Sequence, residues 1–272
     1  MKMADYETIT YAVEGHFLAE EEQIGVITLN RPGKLNAIGP ELIKEMNDVL
    51  DKIEKDNNVR AVIIRSASEK AFSVGADLTA AAQMAQDRKM AKEFMESGQK
   101  LFRRIEAFPK PFIAEIHGLC MGGGLEMSLA CDLRIASKET KFSNPEVKLG
   151  LIPGWGGTQR LPRTVGMGRA KEIVLTGRDV PADEALEMGL VNKVVPSDEL
   201  HGEALFMAQS LADNAPIALK LAKAAINHSF DVPVEKGNVT ELEGMLATFD
   251  TEDLSTGIAA VFSKSKPKFK GK

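Results

Sequence analysis

The sequence predicts an α/β core followed by a mainly helical C-terminal region. Three observations carry this expectation. Short β-branched runs alternate with segments whose apolar residues recur at helical spacing, a pattern of strands and helices joined by crossover connections. Glycine and proline clusters punctuate the junctions. After about residue 197 the strand-like runs stop and nearly every segment reads as helix. The expected division is 1–197 for the α/β core and its active site, and 198–272 for a helical region ending in a basic tail.

Residues 7–30 read as strands interrupted by Gly15 and an acidic turn at Glu20–Glu22, with 24–29 the clearest of them. Arg31–Pro32–Gly33 forces a turn. Leu42, Ile43, Met46, Val49, Leu50 and Ile53 then line one face of a helix over 40–54. Residues 59–64 form a β-branched run suited to a strand covered on both faces. A loop over 66–76 leads into helical sequence that continues with interruptions to Ala107, where Pro109 and Pro111 end it. Residues 112–116 read as a buried strand, followed by a glycine-rich turn with its helix and a further strand at 133–136. The helices of the last region are expected at 198–213, 216–229, 234–249 and 252–264. In the tail, Lys264, Lys266, Lys268, Lys270 and Lys272 alternate with other residues, the composition of a solvated, partly frayed end.

The 272 residues, 44% hydrophobic and 27% charged, suit a globular protein with a sizeable core. A net charge of −5 favours neither nucleic acid nor an anionic membrane as partner. Cys120 and Cys131 stand in apolar runs and read as buried reduced thiols of a cytoplasmic protein. The N-terminal MKMADYETITYAVEG lacks the apolar stretch of a secretory signal, and no apolar run approaches the roughly 20 residues that span a bilayer.

The chemistry concentrates in Met121–Gly122–Gly123–Gly124–Leu125–Glu126 and in Asn144–Pro145–Glu146. Consecutive glycines at a helix start let the backbone approach a ligand closely, so the Gly123 N–H can face a developing oxyanion. Glu126 and Glu146 are two carboxylates for moving protons, able to hold one water between them. The apolar run Val147, Leu149, Leu151 and Ile152 suggests that the second loop packs inward. A second oxyanion donor is expected at the backbone N–H of Ala76, in the loop Ala71–Leu78, with Asp77 capping the following helix. His117 has no serine or cysteine in a nucleophile elbow beside it, which argues against a Ser–His hydrolase. No His/Cys/Asp cluster has metal-ligand spacing. The Gly154–Trp155–Gly156–Gly157 turn matches neither nucleotide-binding glycine pattern.

Taken with LNRPGKLNAI at 29–38, AFSVGADL at 71–78, the segments 116–137 and 142–163, and ALEMGLVNKVV at 185–195, the chain resembles the enoyl-CoA hydratase/isomerase (crotonase) superfamily. The resemblance implies a spiral of ββα repeats with a helical C-terminal trimerisation region, often assembled as a dimer of trimers. It implies that Ala76 and Gly123 donate to the thioester oxygen of an acyl-CoA, that Glu126 and Glu146 are the catalytic pair, and that Gly154 lies near the catalytic water. CoA is expected to pass Lys34–Ala37 and Ala76–Asp77–Leu78. Lys264 is expected to reach CoA phosphates, including those held by a neighbouring subunit. Val261 stands where some hydratases have an aromatic residue, with Phe262 next to it. The helix 80–99, with Met84, Met90 and Met95, is a candidate lining for the acyl pocket.

The implied reaction is reversible syn addition of water to a 2-enoyl-CoA, with no metal, flavin or nicotinamide. Glu146 is assigned the proton at C2 and Glu126 the water, as a pair that titrates together. Double-bond isomerisation, hydration of an unusual cyclic enoyl-CoA, and RNA binding by a crotonase-like protein are the alternatives.

Overall fold

A computed structural model of the chain describes residues 6–15, 23–84 and 86–272, the Met84 side chain excepted. The acidic turn Glu20–Glu22 lies outside the described residues. The strands form two sheets. The larger runs β1 (Ile9–Gly15), β2 (Gln23–Leu29), β3 (Val59–Ser66), β5 (Phe112–Ile116), β7 (Leu133–Ser137), β10 (Lys193–Val195). The smaller runs β4 (Ala71–Ser73), β6 (Leu119–Met121), β8 (Lys141–Ser143), β9 (Val180–Pro181). Among the described strands only β1 and β9, each at a sheet edge, pair antiparallel to their neighbours.

The helices are α1 (Pro40–Lys55), α2 (Leu78–Met84), α3 (Arg88–Glu106), α4 (Gly123–Ala130), α5 (Gly157–Val165), α6 (Met167–Thr176), α7 (Ala182–Glu187), α8 (Leu200–Ala212), α9 (Pro216–His228), α10 (Val234–Phe249) and α11 (Glu252–Ser263). The repeat is legible in this order. β3, β4 and α2–α3 are followed by β5, β6 and α4, then by β7, β8 and α5–α6. Each turn of the chain places one strand in each sheet and then a helix, which is the expected ββα spiral.

Local chemistry sets the element ends. Pro40 opens α1, where its missing N–H costs nothing. Asp87 caps α3, its Oδ1 accepting from Lys89 N at 2.8 Å and Met90 N at 3.2 Å. That cap divides the helix expected over 80–99 between α2 and α3, one of the interruptions in the helical sequence that runs to Ala107.

The larger sheet is covered on both faces, and side-chain alternation sorts its residues between two cores. Val62, Ile64, Ile27 and Leu29 join the core under α1 and α3. Ala61, Ile63, Ile24 and Val26 face α8, whose Leu200, Ala204, Ala208 and Ala212 recur every fourth residue on one stripe. Leu205, Met207 and Leu211 are half-buried beside that stripe, so α8 spends its apolar side on its own sheet. The next two helices do not. Ile226, Val234, Leu242, Met245, Leu246 and Phe249 on α9 and α10 are all exposed.

The tail departs from the frayed end that its composition suggests. The buried Asp253 carboxylate accepts the backbone N–H of Lys270 at 2.7 Å and of Gly271 at 2.8 Å. Arg60 donates to Phe269 O at 3.2 Å, and Glu252 N–H to Lys272 O at 2.7 Å. Alternating lysines suggest solvation, but the contacts that hold this segment use backbone groups, which composition does not reveal.

Candidate active site

Three neighbouring strands of the smaller sheet end at the same edge, and each delivers one part of the site. β4, β6 and β8 run parallel, with Ala71 opposite Leu119 and Leu119 opposite Lys141. The loop after β4 carries Ala76. Gly123 and Glu126 follow β6, and Glu146 follows β8. Parallel strands lie about 4.8 Å apart, so residues distant in sequence converge outside their carboxyl ends.

The geometry of one bridge explains why Ala76 offers its N–H. Ile38 N–H donates to Gly75 O at 2.7 Å, and Asp77 N–H donates to Ile38 O at 2.9 Å. In a parallel bridge the residue between those two partners points its own N–H away from the ladder. Gly123 is the first residue of α4, where no intrahelical acceptor exists. Among the described residues neither N–H has an acceptor. The two segments touch. A Cβ on Gly75, which has φ +89°, would lie 2.7 Å from Gly123 N and 2.9 Å from Met121 O. Only glycine satisfies both the backbone angle and that approach.

Glu126 lies on the first turn of α4 and is 2% exposed. Its Oε1 accepts two backbone N–H bonds, from Trp155 at 2.8 Å and Gly157 at 2.7 Å. Burial pushes its pKa up to about 7, the two backbone donors oppose that shift, and the Glu146 charge adds to it. At the far end of α4, Arg134 donates to Ser128 O at 3.2 Å and Cys131 O at 2.8 Å, satisfying the last carbonyls.

Glu146 sits in the 3₁₀ turn Pro145–Leu149. Burial raises its pKa as well, against its own backbone N–H and the Asn144 amide, which donates to Oε1 at 3.3 Å. Its Oε2 is buried and has no hydrogen-bond partner among the described residues. A Cβ on Gly122 would stand 3.1 Å from Glu146 Oε1, and one on Gly157 would stand 3.0 Å from Glu126 Oε1. Glycines therefore clear the space beside both carboxylates.

One expectation fails here. Leu149, Leu151 and Ile152 are 58%, 54% and 73% exposed, so this loop does not pack inward on its apolar run. The chain reverses at Gly150, φ +74°, with Leu151 N–H returning to Glu146 O, and that reversal carries the three side chains outward.

The turn carrying Lys34 and Ala37 is tied to the Ala76–Leu78 segment. Arg31 donates to Ala37 O at 2.6 Å and to Asp77 Oδ2 at 3.2 Å, while Lys34 Nζ is 3.4 Å from the same oxygen. Leu78 is exposed beside them. Gly154 lies against Met95, whose Sδ would be 3.1 Å from a Cβ there. Lys264 is not brought to this group. It ends α11 with φ +52° and borders an apolar cavity of about 1040 Å³ between the C-terminal helices and the tail. His117 is a structural contact, bonded through Nε2 to Ser68 O.

Sequence reading missed three contributors. Arg31 and Asn36 fasten the first loop, Asn36 donating to Ser66 Oγ at 2.6 Å and Phe72 O at 2.9 Å. The Asn36 backbone, at φ +55°, gave no signal beyond a turn. The Gly154–Gly157 turn, in which the resemblance marks only Gly154, supplies both donors to Glu126 from Trp155 and Gly157.

The chain matches the enoyl-CoA hydratase/isomerase family over residues 19–272. It is 43% identical to a short-chain-enoyl-CoA hydratase of Clostridium acetobutylicum, over 92% of this chain and 95% of that one. It is 39% identical to a crotonyl-CoA hydratase of Syntrophomonas wolfei, over 95% and 98%. Its fold resembles the crystal structure of an enoyl-CoA hydratase from Bacillus anthracis with TM-score 0.88 at 39% identity, covering 96% of this chain and 99% of that one.

Proposed function

The chain belongs to the enoyl-CoA hydratase/isomerase family, and from that premise we propose that it hydrates a 2-enoyl-CoA to the 3-hydroxyacyl-CoA with Glu126 and Glu146. The observation that carries the assignment is the pairing of the buried Glu126 with the half-buried Glu146, both with raised pKa values, beside two uncommitted backbone N–H groups.

In this reaction the thioester oxygen accepts from Ala76 N–H and Gly123 N–H. Glu126, ionised, takes a proton from water as the water oxygen bonds to C3. Electrons of the C2–C3 double bond move toward the carbonyl, and the two donors stabilise the enolate charge. Glu146, protonated, delivers its proton to C2 on the same face. The pair ends with the proton on Glu126, and exchange with solvent resets it. Two carboxyl groups sharing one proton suit this division, because burial and mutual repulsion disfavour double ionisation. The chemistry needs no cofactor beyond the CoA carried by the substrate.

We assign the CoA moiety a path past Lys34–Ala37 and Ala76–Leu78, with Lys34 and Arg31 as nearby cations. Short acyl chains are the first choice of substrate, on the names of the relatives. The exposed apolar faces of α9 and α10 support a trimer or a dimer of trimers.

Purified protein incubated with crotonyl-CoA should lose the absorbance of the conjugated thioester and form 3-hydroxybutyryl-CoA. A folded protein inactive on crotonyl-CoA and on longer and cyclic 2-enoyl-CoAs defeats the hydratase reading. Conversion of 3-enoyl-CoAs without uptake of labelled oxygen from water would favour isomerisation.

A further inference from the structure

We propose that Trp155 is a positioning residue for both halves of the machinery, seated on Gly98 of α3. This rests on the hydratase reading for its kinetic consequences but not for its spectroscopic ones. The indole is 2% exposed and packs edge-on against two rings, Phe94 at 5.3 Å and Phe102 at 5.7 Å between centroids, each at 82°. Its pyrrole edge occupies the place of a missing side chain. A Cβ on Gly98 would lie 2.3 Å from Nε1 and 2.5 Å from Cε2. The opposite edge does the same on α4, where a Cβ on Gly123 would lie 2.5 Å from Cζ3 and 2.6 Å from Cε3. The ring is thus wedged between two glycine positions on facing helices.

The main chain of the same residue reaches the other half of the site. Trp155 N–H holds Glu126 Oε1 at 2.8 Å, and Trp155 O accepts from Arg160 at 3.0 Å. Arg160 is in turn anchored on Glu106 at 2.8 Å. One residue therefore contacts the backbone that presents the Gly123 donor and donates directly to the Glu126 carboxylate. Close-packed interiors transmit displacement, so a shift of the indole moves both. The indole N–H is buried with no partner among the described residues, a cost accepted for the fit against Gly98. Hydrogen bonding of Glu126 by the turn favours its ionised form, so loosening the turn raises that pKa further.

Gly98→Ala tests this without altering any group that touches substrate. It should lower kcat/KM on crotonyl-CoA by about 10- to 100-fold, as for a small misplacement of reacting groups. The acid limb of the kcat/KM profile should move to higher pH, because Glu126 must be ionised to act. Adding Trp155→Phe should restore part of the loss, since removing the pyrrole edge makes room for the new methyl. Gly168→Ala on α6, where a Cβ meets nothing within 4 Å, should leave kinetics unchanged.

Trp155 is the single tryptophan of the chain, so its emission reports on this seat directly. In the wild type that emission should titrate with the Glu126 ionisation, and Glu126→Gln should abolish the titration. Should Gly98→Ala fail to fold, Trp155→Phe alone should still lower the rate and shift the acid limb. Wild-type rates and pH profiles in both Gly98→Ala and Trp155→Phe would overturn the proposal, as would a flat emission titration. An inactive wild type whose emission still follows Glu126 would instead count against the hydratase reading alone.

Discussion

The backbone N–H of Trp155 donates to Oε1 of Glu126 over 2.8 Å, joining a turn to a buried carboxylate 29 residues earlier in the chain. Glu126 combines near-complete burial with this support, and its pKa of about 7 follows from burial outweighing the two donors. A proton acceptor of that pKa is well matched to neutral pH.

Glu126→Gln should lower turnover by about 10²–10⁴-fold, the range for loss of a general acid or base. The folded pKa lies above the ordinary value of 4.5, so the contribution of this group to stability is fully present below 4.5 and is lost as pH rises through about 7. The neutral amide escapes that loss. The variant should therefore be more stable than the wild type at pH 8, by on the order of 3 kcal/mol, and equally stable near pH 4. Chemical denaturation at the two pH values reads this. A wild type at least as stable as the variant at pH 8 contradicts it.

Gly75→Ala should act on the rate more than on the fold. The added Cβ meets Gly123 N and forces a non-glycine residue to φ +89°. Disturbing one donor of the pair is expected to reduce kcat by roughly 100-fold, near the usual effect of deleting an oxyanion contact. Steady-state kinetics on a variant with a cooperative melting transition decides it, and an unchanged kcat removes this glycine from the argument.

Asp77→Ala should weaken both stability and substrate binding. Asp77 Oδ1 accepts from Thr79 N at 3.1 Å at the start of α2, and the carboxylate pairs with Arg31 and Lys34. Burial opposes its ionisation, but the Arg31 contact and the backbone donors prevail, and its pKa is lowered. That contribution is present above the ordinary value of 3.8 and is lost as pH falls through the folded value. The variant should lose about 1–2 kcal/mol at neutral pH, with a smaller deficit in acid, and raise the KM for enoyl-CoA. An equal deficit at both pH values argues against the ion pairs.

Lys264→Ala should raise KM more than it lowers kcat, with the difference shrinking at high salt. Within one chain Lys264 borders the cavity beside the tail rather than the proposed catalytic pair, so its contact with CoA phosphates is expected across a subunit boundary. Light scattering should accordingly show a trimer or hexamer, unchanged by the substitution. A monomer excludes the assembly, and unchanged low-salt kinetics excludes the role of Lys264.

Much of the fold was legible because its signals are local. The face of α1, the strand at 112–116 and the helix boundaries at 216, 234 and 252 follow from periodicity, proline and capping residues, all within a few positions of one another. Ala76, Gly123, Glu126 and Glu146 stood out because consecutive glycines at a helix start and two nearby carboxylates fall within the family's motifs. The packing of the tail and the outward turn of Leu149–Ile152 were not legible. In both, partners distant in sequence or a backbone reversal overrule what composition suggests.

The sequence by itself determined the alternation of strands and helices, the family resemblance and the candidate catalytic pair. Tertiary structure alone decided what those residues contact. The spiral stacks β4, β6 and β8 side by side, so loops from three repeats meet at one edge. The wedge of Trp155 between Gly98 and Gly123, and the clamp of its turn on Glu126, depend on that meeting. Residues 57 and 29 positions apart from Trp155 become its neighbours only once the repeats stack, and no periodicity along a single chain encodes such a contact.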